Sequence, residues 1–363
     1  MSADVEVDRT MDCPPHSTYD GRSGGVPIMT SERGTVALRL AARQYQPIPS
    51  LEERWRQAHP AVTVEFFATE EAWVGALADA DAAFGMFGAA PDSPLFETMR
   101  QAPHLRWVHH AAAGVDGVPL DALPPQVVVT SGKGPMAVSV AEHAVSLMLA
   151  LARHLPEAVR DQQAQHWRPG GGLAFVDRVH DLHGRTVLIL GVGTTGGELA
   201  RICKRGFAMR VVGFARTRRD HPHVDAYVDR AGLPMALGEA DFVCVALALT
   251  RETFHLVDAA VLAAMKPTAS LINVARGEIV DEHALVAALQ EHRIAGAGLD
   301  SFEVEPLPAE HPLWRLPNVL ITPHRAAGSD GFWAHYADFL AENIRRFAES
   351  APLLGVVDRA SGY

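Results

Sequence analysis

Apolar and polar positions fall into two regular stretches along this chain. From Thr35 the runs "TVALRL", "VTVEFF", "AAFGMF", "LRWVHH" and "QVVVTS" have the length and the apolar, largely β-branched or aromatic content of strands. Between them "SLEERWRQAH", "TEEAWVGALADA" and "LFETMRQA" repeat apolar residues three and four apart, the spacing of one helix face. A longer helical pattern, "VSVAEHAVSLMLALARHL", follows. After a polar stretch around "QHWRPGGG", the alternation resumes at "TVLILG" and continues to "NVLITPH". Strands separated by helices predict parallel sheets, because parallel neighbours need a long return connection. The pattern predicts an α/β protein with two doubly wound parallel sheets, the second the more regular.

The first 34 residues are rich in Gly, Pro, Ser and Asp without a sustained period, and are read as a flexible N-terminal tail. Asp4, Glu6 and Asp8 speak against a transit peptide, and Met29 is a second candidate start. The remaining length of the 363-residue chain suffices for two domains, each with its own core. A formal net charge of −11 argues against nucleic acid as a partner. The longest clean apolar run, residues 144–152, is far short of the roughly 20 residues of a membrane span. Cys13, Cys203 and Cys244 show neither metal nor disulfide spacing. No metal site is expected, and reduced thiols point to the cytoplasm.

The sharpest local signal is "TVLILGVGTTGGELARICKRG". Val187 to Leu190 form an apolar strand of the type buried on both faces. Gly191 permits a tight turn, Gly193 lets backbone approach a pyrophosphate, and Gly196 lets the next helix pack on the strand. The helix then offers free N–H groups and its positive end to phosphates, with Thr194 and Thr195 at the variable turn positions. Leu199 and Ile202 point inward, and Gly206 is the expected stop. About 20 residues on, an NAD site usually places an acid for the ribose. Here stand Ala215, Arg216, Thr217, Arg218 and Arg219. Arginine can hold a 2′-phosphate bidentately, so NADP(H) is preferred over NAD(H), the alternative being a solvated basic loop.

In the second half, Arg276 follows the strand pattern "SLIN", Asp300 and Glu305 lie in "AGAGLDSFEVEPLP", and His324 ends "NVLITPH". Singly these are weak signals in a chain with 18 histidines. Together they fall after strands of one sheet, at the carboxyl edge where α/β proteins place ligands.

The segments "AAAGVDGV", "VAEHAVSLMLALAR", "LHGRTVLILGVGTTG", "INVARGEIVDEHAL", "LDSFEVEPLP" and "NVLITPH" occur in the order of the D-isomer-specific 2-hydroxyacid dehydrogenases. The sequence resembles that family from about Leu105 to Gly328. The resemblance implies two Rossmann-like or flavodoxin-like domains, with a cofactor domain (135–324) inserted into a substrate domain (35–134 plus 325–363). It implies hinges near 132–136 and 326–329 and a homodimer. The implied reaction is NAD(P)H reduction of a small 2-oxo acid to the D-2-hydroxy acid. His324 would be the general acid, Glu305 its partner, and Arg276 the group that binds the substrate's carboxylate and carbonyl. A carboxylate beside an imidazole favours its protonated form, which suits that role. Ala113 and Gly114 match the family's carboxylate-binding loop, while Val274 and Asp300 match cofactor-side positions. A glutamate at 305 sets the chain apart from the formate dehydrogenases, which carry glutamine there. The fold also serves an NAD(H)-sensing corepressor, so a cofactor-binding regulator with little turnover is the alternative.

Two departures stand out. Ala248 replaces a common proline, which would loosen a cofactor-side turn. Arg325 follows His324, where it would oppose protonation if turned inward, contact an acidic substrate, or face water. In the last helical pattern, "GFWAHYADFLAENIRRFAES", Trp333 and Tyr336 are expected to be core.

Overall fold

The computed structural model describes residues 38–43, 48–167, 179–216 and 221–363. The tail expected over 1–34, Thr217 and Arg218 lie outside the described residues.

The first half folds as a parallel five-stranded sheet of β1 (Leu38–Arg43), β2 (Val62–Phe67), β3 (Ala82–Gly85), β4 (Trp107–His110) and β5 (Val128–Ser131). Its order, β2-β1-β3-β4-β5, is the flavodoxin-like doubly wound order. Helices α1 (Pro49–Arg56), α2 (Glu70–Ala76) and α3 (Pro94–Gln101) make the crossovers. β3 ends at Gly85, two residues sooner than the pattern suggests. A Cβ at Gly85 would lie 2.6 Å from the Trp73 indole, and beyond it Phe87 turns into the core.

Helices α4 (Ala137–Ala152) and α5 (Leu155–Gln163) lead to a seven-stranded parallel sheet. It comprises β6 (Thr186–Leu190), β7 (Arg210–Phe214), β8 (Ala226–Val228), β9 (Phe242–Val245), β10 (Ser270–Asn273), β11 (Gly296–Leu299) and β12 (Val319–Ile321). The order β12-β11-β10-β9-β6-β7-β8 places the first strand, β6, centrally, so the winding reverses between β6 and β9. Val187, Leu188, Ile189 and Leu190 are fully buried, as a strand covered on both faces requires. The crossovers carry α6 (Thr194–Phe207), α7 (Leu233–Glu239), α8 (Ala259–Ala264) and α9 (Glu282–Gln290). Helix α6 runs through Gly206. It stops at Ala208, whose left-handed φ of 50° lets the Met209 N–H reach the Cys203 carbonyl at 3.1 Å. Burial of Met209 fixes the reversal there, so no glycine is needed.

The last helix, α10 (Phe332–Ala348), returns to the first sheet. Tyr336, Leu340, Ile344 and Phe347 pack with Leu40, Trp55 and Trp107, and the Trp55 indole N–H donates to the Ala337 carbonyl at 3.2 Å. Tyr336 is core as expected, whereas Trp333 sits at the edge, 38% exposed. Where the chain crosses between the sheets, the Ser139 and Ser329 hydroxyls meet at 2.9 Å. Among the described residues no helix is long and apolar enough to cross a membrane.

Candidate active site

The glycine turn follows β6 at the winding reversal. Gly191 has φ +98°, and a Cβ there would lie 2.8 Å from the Ala246 carbonyl oxygen. A Cβ on Gly196 would come within 1.9 Å of the Gly191 oxygen, so helix and turn touch through glycine alone. Gly193 differs: it is exposed, and a Cβ would meet nothing within 4 Å. No side chain caps the helix that begins at Thr194 and Thr195, so its first amides are open toward that space. The open turn and uncapped amides fit the pyrophosphate of a dinucleotide. Arg216 is exposed two residues past β7, donating from Nη2 to the Tyr363 hydroxyl at 2.7 Å with Glu252 at 3.6 Å. Opposite, the turn carrying Ala248 is closed by threonines, since Thr253 Oγ1 donates to the Ala248 carbonyl at 2.7 Å.

Three adjacent strands, β10, β11 and β12, deliver the polar groups, with Asn273 beside Leu299 and Leu299 beside Ile321. After β10 and half-buried Val274, the buried Asn273 amide shapes the loop. Its Nδ2 donates to the Arg276 carbonyl at 2.9 Å, and its Oδ1 accepts from the Ala275 amide at 3.1 Å. Next comes Gly277, where a Cβ would lie 1.8 Å from the Phe302 carbonyl carbon. The Arg276 loop therefore abuts the loop that carries Glu305. Behind that contact the Glu303 amide donates to Glu282 Oε1 at 2.6 Å and the Glu282 amide to Glu303 Oε1 at 3.2 Å. His255 Nε2 adds a 2.9 Å contact to Glu303. Burial pushes the Glu282 carboxyl above its ordinary range, while the Glu303 amide pulls it down.

His324 Nδ1 lies 2.7 Å from Glu305 Oε2, and Glu305 Oε1 accepts from the Phe302 amide at 3.0 Å. The histidine has a left-handed φ of 47°, a conformation costly enough to need support. Asp300 supplies it. Its Oδ1 accepts from the Thr322 hydroxyl at 2.5 Å and the Arg325 amide at 3.0 Å, and Oδ2 from the Ala326 amide at 2.9 Å. Asp300 is 2% exposed and accepts these three bonds inside the turn, with His143 at 3.5 Å. Held this way, His324 keeps 47% of its side chain exposed. Arg325 faces water, with no ion-pair partner among the described residues.

The first sheet contributes the loop after β4. The guanidinium of Arg276 lies on Gly114: a Cβ there would be 1.9 Å from Nη2. Arg276 Nε donates to both oxygens of Asp116 at 3.2 and 3.3 Å, and Nη1 to the Ala275 carbonyl at 2.9 Å. Nη2 takes part in none of these bonds and lies against half-buried Gly114, next to Ala113. Below the loop, buried His110 accepts the Phe87 amide on Nδ1 at 3.3 Å. Burial lowers its pKa to about 4, with Asp116 pulling up and Arg276 pushing down. His109 is fully buried, and burial lowers its pKa to about 3. Its neutral form fits a closed relay. Tyr336 donates its proton to the Ala111 carbonyl at 2.9 Å, so it accepts from His109 Nε2 at 2.9 Å. Thr130 then donates to His109 Nδ1 at 2.7 Å and accepts from the Trp107 indole at 2.8 Å.

Arg276, Glu305 and His324 are thus gathered at one sheet edge, with Ala113 and Gly114 meeting Arg276 from the other sheet. The roles of Asp116, Asn273, Thr322 and the His109 relay go beyond the sequence reading. Asp116 lies within the motif "AAAGVD", which could have pointed to the residue though not to its partner, whereas the relay carries no local signal.

Residues 145–326 match the family described as D-isomer specific 2-hydroxyacid dehydrogenase, NAD binding domain. The glyoxylate reductase of Pyrococcus horikoshii is 38% identical over 273 residues, 74% of this chain and 80% of that protein. Glyoxylate/hydroxypyruvate reductase B of Pectobacterium atrosepticum is 36% identical over 268 residues, 74% of this chain and 79% of its own length. Among solved structures, the D-isomer specific 2-hydroxyacid dehydrogenase of Xanthobacter autotrophicus, in complex with NADPH and MES, is 32% identical with a TM-score of 0.76. That match covers 90% of this chain and 100% of the other. The NADPH-dependent glyoxylate/hydroxypyruvate reductase of Sinorhizobium meliloti, in complex with NADP and sulfate, is 30% identical with a TM-score of 0.73, at coverages of 90% and 100%. The chain belongs to the D-isomer specific 2-hydroxyacid dehydrogenases, a family of NAD(P)-dependent oxidoreductases that act between 2-oxo and 2-hydroxy acids.

Proposed function

We propose that this chain reduces a small 2-oxo acid such as glyoxylate or hydroxypyruvate to the D-2-hydroxy acid, with NADPH preferred over NADH. The observation that carries the reading is the His324–Glu305 pair at 2.7 Å, on a loop packed directly against the Arg276 loop. The nicotinamide, when bound, supplies the hydride. The residues do the rest. Arg276 Nη2 and the amides of Ala113 and Gly114 hold the carboxylate, and Arg276 polarises the carbonyl. With Nδ1–H committed to Glu305, Nε2 of His324 holds the proton that the substrate oxygen takes. Glu305 stabilises the imidazolium, and Asp300 acts by fixing the turn that presents it. Gly191, Gly193, Gly196, Thr194 and Thr195 cradle the pyrophosphate, Val274 lines the nicotinamide side, and Arg216 takes the 2′-phosphate.

The substrate domain in this reading is 35–134 plus 325–363, and the cofactor domain is 135–324. The return of α10 to the first sheet and the Ser139–Ser329 contact at the crossing support that division. The protein is read as a cytoplasmic homodimer. Helix α5 supports the dimer: none of its residues is buried, and Leu155 and Val159 are each 49% exposed. Buried free thiols at Cys203 and Cys244 fit a reducing compartment.

The test is nicotinamide absorbance with NADPH and NADH against glyoxylate, hydroxypyruvate, pyruvate and a bulky aromatic oxo acid. Turnover of a small acid with NADPH, lost in His324→Ala and Arg276→Ala, is expected. Equal rates with NADH would refute the cofactor preference, and turnover that survives both substitutions would refute the assigned roles.

A further inference from the structure

Beyond α10 the chain runs antiparallel to β5. The Ser131 amide donates to the Gly355 carbonyl at 3.0 Å, and the Val357 amide to the Val129 carbonyl at 2.9 Å. Arg359 then anchors the segment by donating to the carbonyls of Leu123, Pro124 and Val127 at 3.2, 2.8 and 2.6 Å. Residues 358–363 close into a turn. The Asp358 amide donates to the Tyr363 carbonyl at 3.0 Å, and the Asp358 carboxylate accepts from the Ala360 amide at 3.0 Å and the Ser361 hydroxyl at 2.6 Å. The turn is therefore a built element of the first sheet's side of the molecule, and it aims Tyr363 at the other sheet. There the phenol oxygen accepts from Arg216 Nη2 at 2.7 Å, with the guanidinium carbon 5.8 Å from the ring centroid.

We propose that Tyr363 is a nucleotide-site residue, which with Arg216 forms a two-donor site for the 2′-phosphate of NADP(H). The proposal rests on the reading of Arg216 given above. Arg216 stands where the adenosine ribose edge lies in this winding. The phenol now accepts from Arg216, so its own O–H is free to donate, and the guanidinium keeps further N–H groups. A phosphate between them would take both sets as charge-assisted bonds. Two carboxylates oppose it. Glu252 lies 3.6 Å from Arg216 in an exposed pair, 60% and 74% accessible, which is weak and readily parted. Asp358, held below its ordinary range first by the Ser361 hydroxyl, also senses the Arg216 charge. Against these acids a second donor beside Arg216 gains weight. Because Tyr363 rides on the β5 edge and Arg216 on β7, a phosphate bound to both would tie the two sheets together.

The test is calorimetric titration of the full chain with 2′,5′-ADP and with 5′-ADP, for wild type, Arg216→Ala, Tyr363→Phe and Tyr363→Ala. Thermal melts check that each variant is folded. Wild type is expected to favour 2′,5′-ADP at least tenfold. Arg216→Ala and Tyr363→Phe should each weaken 2′,5′-ADP by roughly tenfold and leave 5′-ADP within about twofold. Equal binding of both ligands by wild type would overturn the reading of Arg216, and Tyr363 with it. A preference lost in Arg216→Ala but kept in both Tyr363 variants would overturn the Tyr363 proposal alone. Loss in Tyr363→Ala that Tyr363→Phe does not share would overturn the hydroxyl as a donor.

Discussion

Tyr336→Phe deletes one oxygen and leaves the packing volume of a fully buried ring nearly unchanged, so no cavity contributes to its cost. What is lost is the keystone of the relay: the acceptor for His109 Nε2–H and the donor to the Ala111 carbonyl, both at 2.9 Å. A buried polar group left unpaired costs about 1–3 kcal/mol. His109 has one escape, moving its proton to Nδ1, but Thr130 must then find another acceptor. Two orphaned groups with partial relief give a destabilisation of about 2–4 kcal/mol. At about 2–4 °C per kcal/mol for a domain of this size, the melting midpoint should fall by roughly 5–15 °C in scanning fluorimetry. Function should register it as well. The Ala111 carbonyl opens the loop that ends in Ala113 and Gly114, so KM for the oxo acid should rise while 2′,5′-ADP binding stays unchanged. A midpoint within about 1 °C of wild type and an unaltered KM would refute the relay as the support of that loop.

Glu305→Gln keeps the shape but removes the charge beside His324, and kcat should fall by about 100-fold with KM nearly constant; unchanged kcat in steady-state assays would refute the assignment. Gly277→Ala drives a methyl to 1.8 Å from the Phe302 carbonyl carbon. The Arg276 and Glu305 loops must then part, so kcat/KM should drop by at least about 100-fold while 2′,5′-ADP titrations stay near wild type. Acid should destabilise the fold early. The unfolded chain protonates histidine below about pH 6.5, whereas buried His109 and His110 stay neutral down to about 3 and 4. Their stabilisation is therefore complete above the unfolded value and declines as pH falls from about 6.5. Each should cost roughly 1.4 kcal/mol by pH 5.5, one unit below the unfolded pKa. Urea midpoints unchanged between pH 7.5 and 5.5 would contradict this.

Much of this was legible because it is periodic or local. The alternation of strand and helix, the Gly191-Gly193-Gly196 turn and the residues that end β10, β11 and β12 all declare themselves within a few positions. What could not be read is what two sheets create by meeting. Arg276 and Asp116 are 160 residues apart, His109 and Tyr336 are 227, and Arg216 and Tyr363 are 147. No spacing rule connects such pairs. The end of α6 shows a subtler limit, since burial of Met209 let Ala208 take the reversal that glycine usually makes. Asp300 shows another, because its bonds to the Thr322 hydroxyl and to the Arg325 and Ala326 amides, which hold the His324 turn, carry no sequence signal of their own.

The clasp of Glu282 and Glu303, with Gly277 pressed against Phe302, makes the Arg276 and Glu305 loops one mechanical part carried wholly by the second sheet. The surface facing that part, from exposed Met86 to Asp116, hangs on the first sheet and shares no backbone with it. Reaction chemistry and substrate selectivity are thereby separately mutable. In the proposed reading, residues 86–88 can drift or be engineered toward other oxo acids without retuning the proton donor, whereas changes at Gly114 or Asp116, which touch Arg276, would disturb both. A single insertion between 303 and 305 would silence every substrate at once.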